Sequence, residues 1–153
     1  MKTINAFAAH DSEADLEPYN IKRREVTDDD VEIEITYCGV CHSDIHQVRN
    51  DWNNSIYPVV PGHEIIGRVT EVGANVEHFS EGQLVGVGCM VDSCQQCKHC
   101  RNDLEQFCEE GAVMTYNGHN KHLDQQTFGG YSKHVVVDKE FVLDIPDNID
   151  THA

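Results

Sequence analysis

Basic residues are scarce in this chain of 153 amino acids. Eleven lysines and arginines stand against 27 aspartates and glutamates, so the formal net charge is -16 at pH 7. The phosphates of nucleic acids and anionic membrane surfaces would repel such a chain. We therefore expect neither a nucleic acid nor a membrane as partner, and we interpret the acidic excess as a contribution to solubility.

Long apolar runs are absent too. No stretch approaches the roughly 18–20 apolar residues that a membrane-spanning helix needs. The first residues soon reach His10, Asp11 and Glu13, so they lack the apolar segment of a secretory signal. We expect a cytoplasmic protein, in which seven cysteines favour metal binding or catalysis over disulfides.

A glycine-rich dinucleotide fingerprint is missing as well. Gly86-Val87-Gly88 begins one, but Val91 stands where the third glycine belongs. Helical periodicity is weak throughout. The best candidate is a helix of one or two turns after Cys41, which Ser43 or Asp44 could cap.

Short strands separated by glycines are the dominant pattern. In Val31–Tyr37 the odd-numbered side chains are expected to face a core and the even-numbered ones water. Further strands are predicted at Ile65–Val72, Leu84–Val87, Tyr131–Val137 and Phe141–Ile145. This pattern indicates a mainly β domain, either barrel-like or sandwich-like.

Four of the cysteines fall within fifteen residues and have the spacing C-x2-C-x2-C-x7-C. They are Cys94, Cys97, Cys100 and Cys108. Four thiolates can surround one ion tetrahedrally, the arrangement of a closed structural zinc site. An iron–sulfur cluster is the alternative, although the last spacing differs from the ferredoxin pattern and no proline follows. Residues 92–120 are predicted to form a lobe around this metal.

A second set of ligand types lies upstream, where His63 and Glu64 follow Pro61-Gly62 and could join Cys41. Thiolate and imidazole are preferred zinc ligands, and a mixed site with few protein ligands keeps a coordination position open, as catalytic zinc requires. Asp44 is a natural acceptor for the free N–H of a ligating imidazole.

Ser43 and His46 are spaced i, i+3, so one helical turn could bring them together to pass a proton to solvent. Other interpretations remain open for this segment. A lone cysteine is more often a core residue than a ligand. Cys38-Gly39-Val40-Cys41-His42 also matches a redox C-x-x-C motif and a haem-attachment motif. Cys38 and Cys89 are expected to be buried structural cysteines.

Together these motifs resemble the catalytic domain of the zinc-dependent medium-chain alcohol dehydrogenases. The string Gly62-His63-Glu64-x2-Gly67-x5-Gly73-x2-Val76 resembles the zinc signature of that family. Tyr37–His46 looks most like the cinnamyl-alcohol-dehydrogenase branch, which contains NADP-dependent aldehyde reductases. Gly129-Gly130-Tyr131-Ser132 resembles the strand that follows the cysteine lobe, and the resemblance extends from about Ile21 onward.

The resemblance implies a GroES-like β-barrel domain over residues 1–153, with short helices and the zinc lobe at 92–120. It further implies reversible oxidation of primary alcohols to aldehydes with NADP or NAD. Cys41 and His63 would hold the catalytic zinc with help from Glu64. Ser43 and His46 would carry the proton, and the parent enzyme would be a homodimer. Two aromatic residues, Trp52 and Tyr57, look like substrate-pocket walls.

The resemblance also marks what this sequence does not contain. Members of the family have a Rossmann nucleotide-binding domain and a further zinc-ligating cysteine beyond the matching part. We therefore expect a fragment that lacks the activity of its parent, keeps the structural zinc and holds the catalytic zinc incompletely. Such a fragment is expected to be a monomer or to self-associate weakly.

Overall fold

The computed structural model describes residues 1–120, 125–146, 148 and 149. The described strands are β1 Lys2–Ala8, β2 Glu17–Arg23, β3 Asp30–Cys38, β4 Ile65–Val72, β5 Leu84–Val87, β6 Met90–Asp92, β7 Val113–Met114, β8 His119–Asn120, β9 Gln125–Gln126, β10 His134–Asp138 and β11 Val142–Asp144. Helix α1 spans His42–Val48, and 3-10 turns span Cys100–Asn102, Glu105–Phe107 and Lys139–Phe141. The chain is therefore mainly β, as its sequence predicts. No helix among the described residues is long and apolar enough to cross a membrane.

A curled five-stranded sheet forms the centre of the molecule. Its strand order is β10-β3-β4-β5-β11, and all neighbours are antiparallel. The main core packs against it and is built largely from β-branched side chains: Val31, Ile33, Ile65, Val69, Val85, Val87, Val135, Val137 and Val142. Such residues suit a pleated, buried surface.

Strands β1 and β2 form a separate antiparallel pair. Its inward side chains make a second apolar cluster that includes Ile4 and Ile21. The pair contacts the main sheet through Lys2, whose Nζ lies 2.9 Å from Glu32 and 3.1 Å from Glu71. The sequence pattern did not reveal these two strands.

The predicted alternation in β3 is wrong at both ends. Glu32 is 4% exposed because Lys2 binds it, whereas Tyr37 is 39% exposed. The register shifts between Glu32 and Ile33 and again between Ile35 and Tyr37. At the first shift the extra residue is Thr70 on β4, and at the second it is Thr36 on β3, so the period of two is broken in β3 only near Tyr37.

The other predicted strands fare better. Ile65–Val72 and Leu84–Val87 are confirmed with these bounds. The last two are shorter than predicted, since β10 begins at His134 and β11 at Val142. The short helix after Cys41 is also confirmed. Its N-cap residue is Cys41, so the prediction of Ser43 as cap is wrong, whereas Asp44 does cap the helix from position N3, because its carboxylate accepts from the backbone N–H of Cys41.

Candidate metal centres

The four clustered cysteines converge in space. Their sulfur atoms all lie within 4.8 Å of one another, and none is in a disulfide. Strands β6 and β7 pair at the base of the lobe and bring its two ends together. The two 3-10 turns between these strands carry Cys100 and lead into Cys108.

Backbone N–H groups in the lobe point at the sulfur atoms. The N–H of Cys97 donates to Cys94 Sγ over 3.3 Å, and that of Cys94 donates to Cys108 Sγ over 3.4 Å. Such donors, that of Cys100 foremost, lower the pKa of Cys97 to about 6. The N–H of Cys94 likewise lowers the pKa of Cys108. Because the thiolate is the form that binds metal, this donor set fits a soft or borderline divalent cation.

The second candidate centre contains Cys41, His63 and Glu64, whose ligand atoms also lie within 4.8 Å of one another. The sheet explains this proximity. Antiparallel pairing of β3 with β4 places Cys38 opposite Ile65. The chain just after β3, which carries Cys41, therefore lies beside the chain just before β4, which carries His63 and Glu64.

Asp44 lies behind this centre, and the residue is 3% exposed. Its carboxylate accepts hydrogen bonds from the backbone N–H groups of Cys41 and Gly62, both over 3.0 Å, and from the hydroxyl of Tyr131 over 3.3 Å. His63 Nδ1 lies 3.4 Å from Asp44 Oδ1. The carboxylate thus connects the two segments that supply the predicted ligands and leaves Nε2 of His63 available to a metal.

Tyr116 packs against the same centre from the segment that leaves the cysteine lobe. Its ring stacks on the imidazole of His63 at a centroid distance of 5.8 Å. Burial, and to a lesser degree Asp44, raises the pKa of Tyr116 well above its ordinary value, so the phenol stays neutral. Sequence reasoning did not identify this residue, since no local spacing relates it to His63.

His46 lies on α1, three residues after Ser43, and its Nδ1 is 2.7 Å from Asp51 Oδ2. Its ring stacks on that of His42 at 4.6 Å and lies 5.5 Å from that of Trp52. Asp51 was not singled out from the sequence. An acidic residue just past the end of a helix that carries a histidine was the available signal.

A cleft of about 670 Å³ opens beside the second centre. Cys38, His63, Glu64 and Cys89 are among the residues that line it. Cys89 is exposed, so its prediction as a buried cysteine is wrong, whereas Cys38 is half-buried. Burial raises the pKa of Cys38 to about 11.

The two aromatic residues predicted as pocket walls lie in different surroundings. Trp52 is 52% exposed near His46. Tyr57 packs against the apolar cluster that contains Val48 and Val59, and its hydroxyl donates to the carbonyl of Val48 over 2.6 Å. A role for either residue in substrate binding remains a prediction.

Comparisons with known proteins agree with this arrangement. The family model described as "Alcohol dehydrogenase GroES-like domain" matches residues 27–147. A probable mannitol dehydrogenase of Medicago sativa is 52% identical over 147 residues, which are 96% of this chain and 40% of that protein. The aldehyde reductase YahK of Escherichia coli is 51% identical over 93% of this chain and 40% of its own length.

Solved structures give the same picture. A cinnamyl alcohol dehydrogenase from Sorghum bicolor superposes with a TM-score of 0.94 at 43% identity, over 97% of this chain and 42% of that one. The enzyme from Helicobacter pylori, complexed with NADP(H), gives a TM-score of 0.92 at 40% identity, over 97% of this chain and 43% of that one. The chain thus spans about two fifths of the length of these relatives.

Proposed function

This chain belongs to the family of alcohol dehydrogenase GroES-like domains, and from that premise we propose that it is the zinc-binding portion of an alcohol dehydrogenase of the cinnamyl-alcohol-dehydrogenase branch. The proposed reaction is the reversible oxidation of a primary alcohol to an aldehyde with NADP or NAD. This activity is proposed for a protein of the length of its relatives. The expectation that the present chain alone is inactive remains a prediction.

Two zinc ions are proposed. Cys94, Cys97, Cys100 and Cys108 would hold a structural ion, since four sulfurs close its coordination. Cys41, His63 and Glu64 would hold the other with a position left open. An ion there, acting as a Lewis acid, supplies polarisation of the aldehyde carbonyl and a lower pKa of the alcohol.

The chain's own residues would then orient the ligands and move the proton. Asp44 Oδ1 lies 3.4 Å from His63 Nδ1, and by accepting the proton of Nδ1–H it would fix the tautomer that offers Nε2. Ser43 would take the hydroxyl proton of the alcohol and pass it to His46. Asp51 would hold His46 through Nδ1 and orient its free nitrogen.

The single observation that carries the proposal is the convergence of Cys41, His63 and Glu64 in front of Asp44. A cysteine and a histidine that lie close together could arise by chance. A buried carboxylate that binds the backbone beside both ligands and contacts the imidazole is the support expected for a metal ligand.

The test is the metal content per chain of the purified protein, followed by zinc titration against a chromophoric chelator. We expect one tightly held zinc and a second that binds more weakly on titration. Cys41→Ser should abolish only the second. A protein that binds no second ion would contradict the proposal for Cys41 and His63, and iron with a visible absorption band would favour an electron-transfer protein instead.

A further inference from the structure

Arg23, the last residue of β2, is a buried arginine with an unusual set of partners. Its residue exposure is 8%. Nε donates to the carbonyl of His134 over 3.0 Å, and Nη1 donates to that of Phe128 over 2.7 Å. Nη2 donates to the carbonyl of Gly129 and to Ser132 Oγ, both over 3.0 Å. These four acceptors are neutral oxygens of residues 128–134, the stretch that leads into β10 and includes its first residue; we call it the 128–134 turn.

The backbone of the same turn also binds the segment before His63. The N–H groups of Gly129, Gly130 and Tyr131 donate to the carbonyls of Val60, Gly62 and Pro61, over 2.7, 2.8 and 3.0 Å respectively. Three consecutive donors to three consecutive residues fix one stretch of chain against the other. His63 follows directly.

Glycine makes this close approach possible. A Cβ at Gly129 would lie 2.3 Å from the carbonyl oxygen of Pro61, and one at Gly130 would lie 2.7 Å from Cys38 Sγ. At Gly129 the two backbones therefore meet with no room for a side chain. Together with the three hydrogen bonds, this contact couples a displacement of the turn to the 60–62 segment. The turn also carries Tyr131, whose hydroxyl binds Asp44.

We propose that Arg23 is a positioning residue for the metal ligand His63, and that it acts by locking the 128–134 turn against the segment that carries this histidine. The inference rests on the proposed function only in taking His63 as a ligand. The hydrogen bonds of the Arg23 side chain all go to residues 128–134, and none of these acceptors belongs to a proposed metal ligand. Its planar guanidinium reaches three carbonyl groups and a hydroxyl of one turn at fixed angles.

Arg23→Lys tests the proposal, because it keeps the positive charge and removes the fork of donors. Arg24→Lys is the matched control. Arg24 is the adjacent residue, and its guanidinium binds Asp30 over 2.6 Å. Cobalt(II) titration distinguishes the two metal sites, because an all-sulfur site and a mixed sulfur, nitrogen and oxygen site give different visible spectra.

We expect Arg23→Lys to weaken cobalt binding at the mixed site by about tenfold or more and to leave the all-sulfur spectrum unchanged. Arg24→Lys should keep both affinities within about threefold of wild type. Equal affinity of Arg23→Lys and wild type at the mixed site would overturn the proposal. So would proportional weakening of both sites, which indicates a general structural role.

Ser132→Ala serves as a second variant should Arg23→Lys not fold. It removes one acceptor of the guanidinium and one donor to Gly129, whose carbonyl accepts from Ser132 Oγ over 2.8 Å. The mixed site should again lose affinity for cobalt selectively, and an unchanged affinity there would refute the inference.

If wild type itself binds no metal at Cys41 and His63, the proposed function fails together with this inference. A wild type that binds and an Arg23→Lys that binds equally well refute the positioning role alone.

Discussion

Asp44 is a carboxylate that is almost fully buried, and its charge is offset by hydrogen-bond donors from three segments of the chain. Two backbone N–H groups, one phenol and an imidazole surround its two oxygens. Such an arrangement is costly to disturb, because each donor that loses its acceptor remains buried without a partner.

Asp44→Asn should therefore weaken metal binding at Cys41 and His63 by about ten- to a hundredfold. It should also lower the free energy of unfolding by about 2 kcal/mol or more, since one amide oxygen cannot replace two charged acceptors. Chelator competition and urea unfolding measure the two effects. Asp51→Asn is the control, because its carboxylate is exposed and binds His46 outside the ligand set. An Asp44→Asn protein with wild-type metal affinity would show that the carboxylate does not orient His63.

Among single residues, the sequence predicted those whose side-chain type itself suggests metal binding. Cysteine, histidine and carboxylate at ligand spacing predicted Cys41, His63 and Asp44, and the structure brings these residues together. Arg23 and Tyr116 could not be predicted. Their importance lies in which distant segments they contact, and neither spacing nor residue type encodes that.

The cysteine lobe is the element whose shape we expect to depend most directly on a bound ion. Within it the described regular structure consists of two 3-10 turns and the two-residue strands β7 and β8, and the β6–β7 pair closes its base. The backbone N–H groups that point at sulfur stabilise the thiolate form of the cysteines. They do not remove the repulsion between the thiolates, which a bound cation would offset.

Cys97→Ser should accordingly lose one zinc per chain and accelerate proteolysis within residues 92–120. Metal analysis and limited proteolysis, followed by mass spectrometry of the fragments, provide the measurement. Cys89→Ser is the matched control for the lobe, because that thiol lies outside residues 92–120 and is exposed; the cleavage rate of the lobe in this variant should equal that of wild type. Unchanged cleavage of the lobe in Cys97→Ser would contradict a structural role for the ion.

Element prediction succeeded where one face of a strand is apolar and failed where a charged side chain faces inward. Strands β4 and β5 have clear apolar patterns, and their predicted bounds were correct. Strand β2 ends in the buried Arg23, and because this inward-facing residue is charged, a search for alternating apolar residues does not detect the strand. Strand β10 begins three residues later than predicted, because Phe128, Gly129 and Ser132 just before it bind that arginine instead of a neighbouring strand of the main sheet.

At the scale of the whole molecule, the excess of negative charge opposes the compact state. The formal net charge is -16 at pH 7, and folding brings these like charges closer together. Added salt shortens the Debye length from about 30 Å at 0.01 M to about 8 Å at 0.15 M, so it weakens this repulsion. Salt also weakens favourable ion pairs such as Lys2 with Glu32, but the 27 acidic residues far outnumber the 11 basic ones.

We therefore expect the melting temperature of the zinc-loaded protein to rise when sodium chloride is increased from 10 to 150 mM. For a chain of this size each kcal/mol of added stability corresponds to a rise of roughly 2–4 °C. Choline chloride at the same concentrations is the control, since general screening predicts the same rise while specific sodium binding does not. A melting temperature that is constant or falls with salt would mean that favourable ion pairs outweigh the net repulsion.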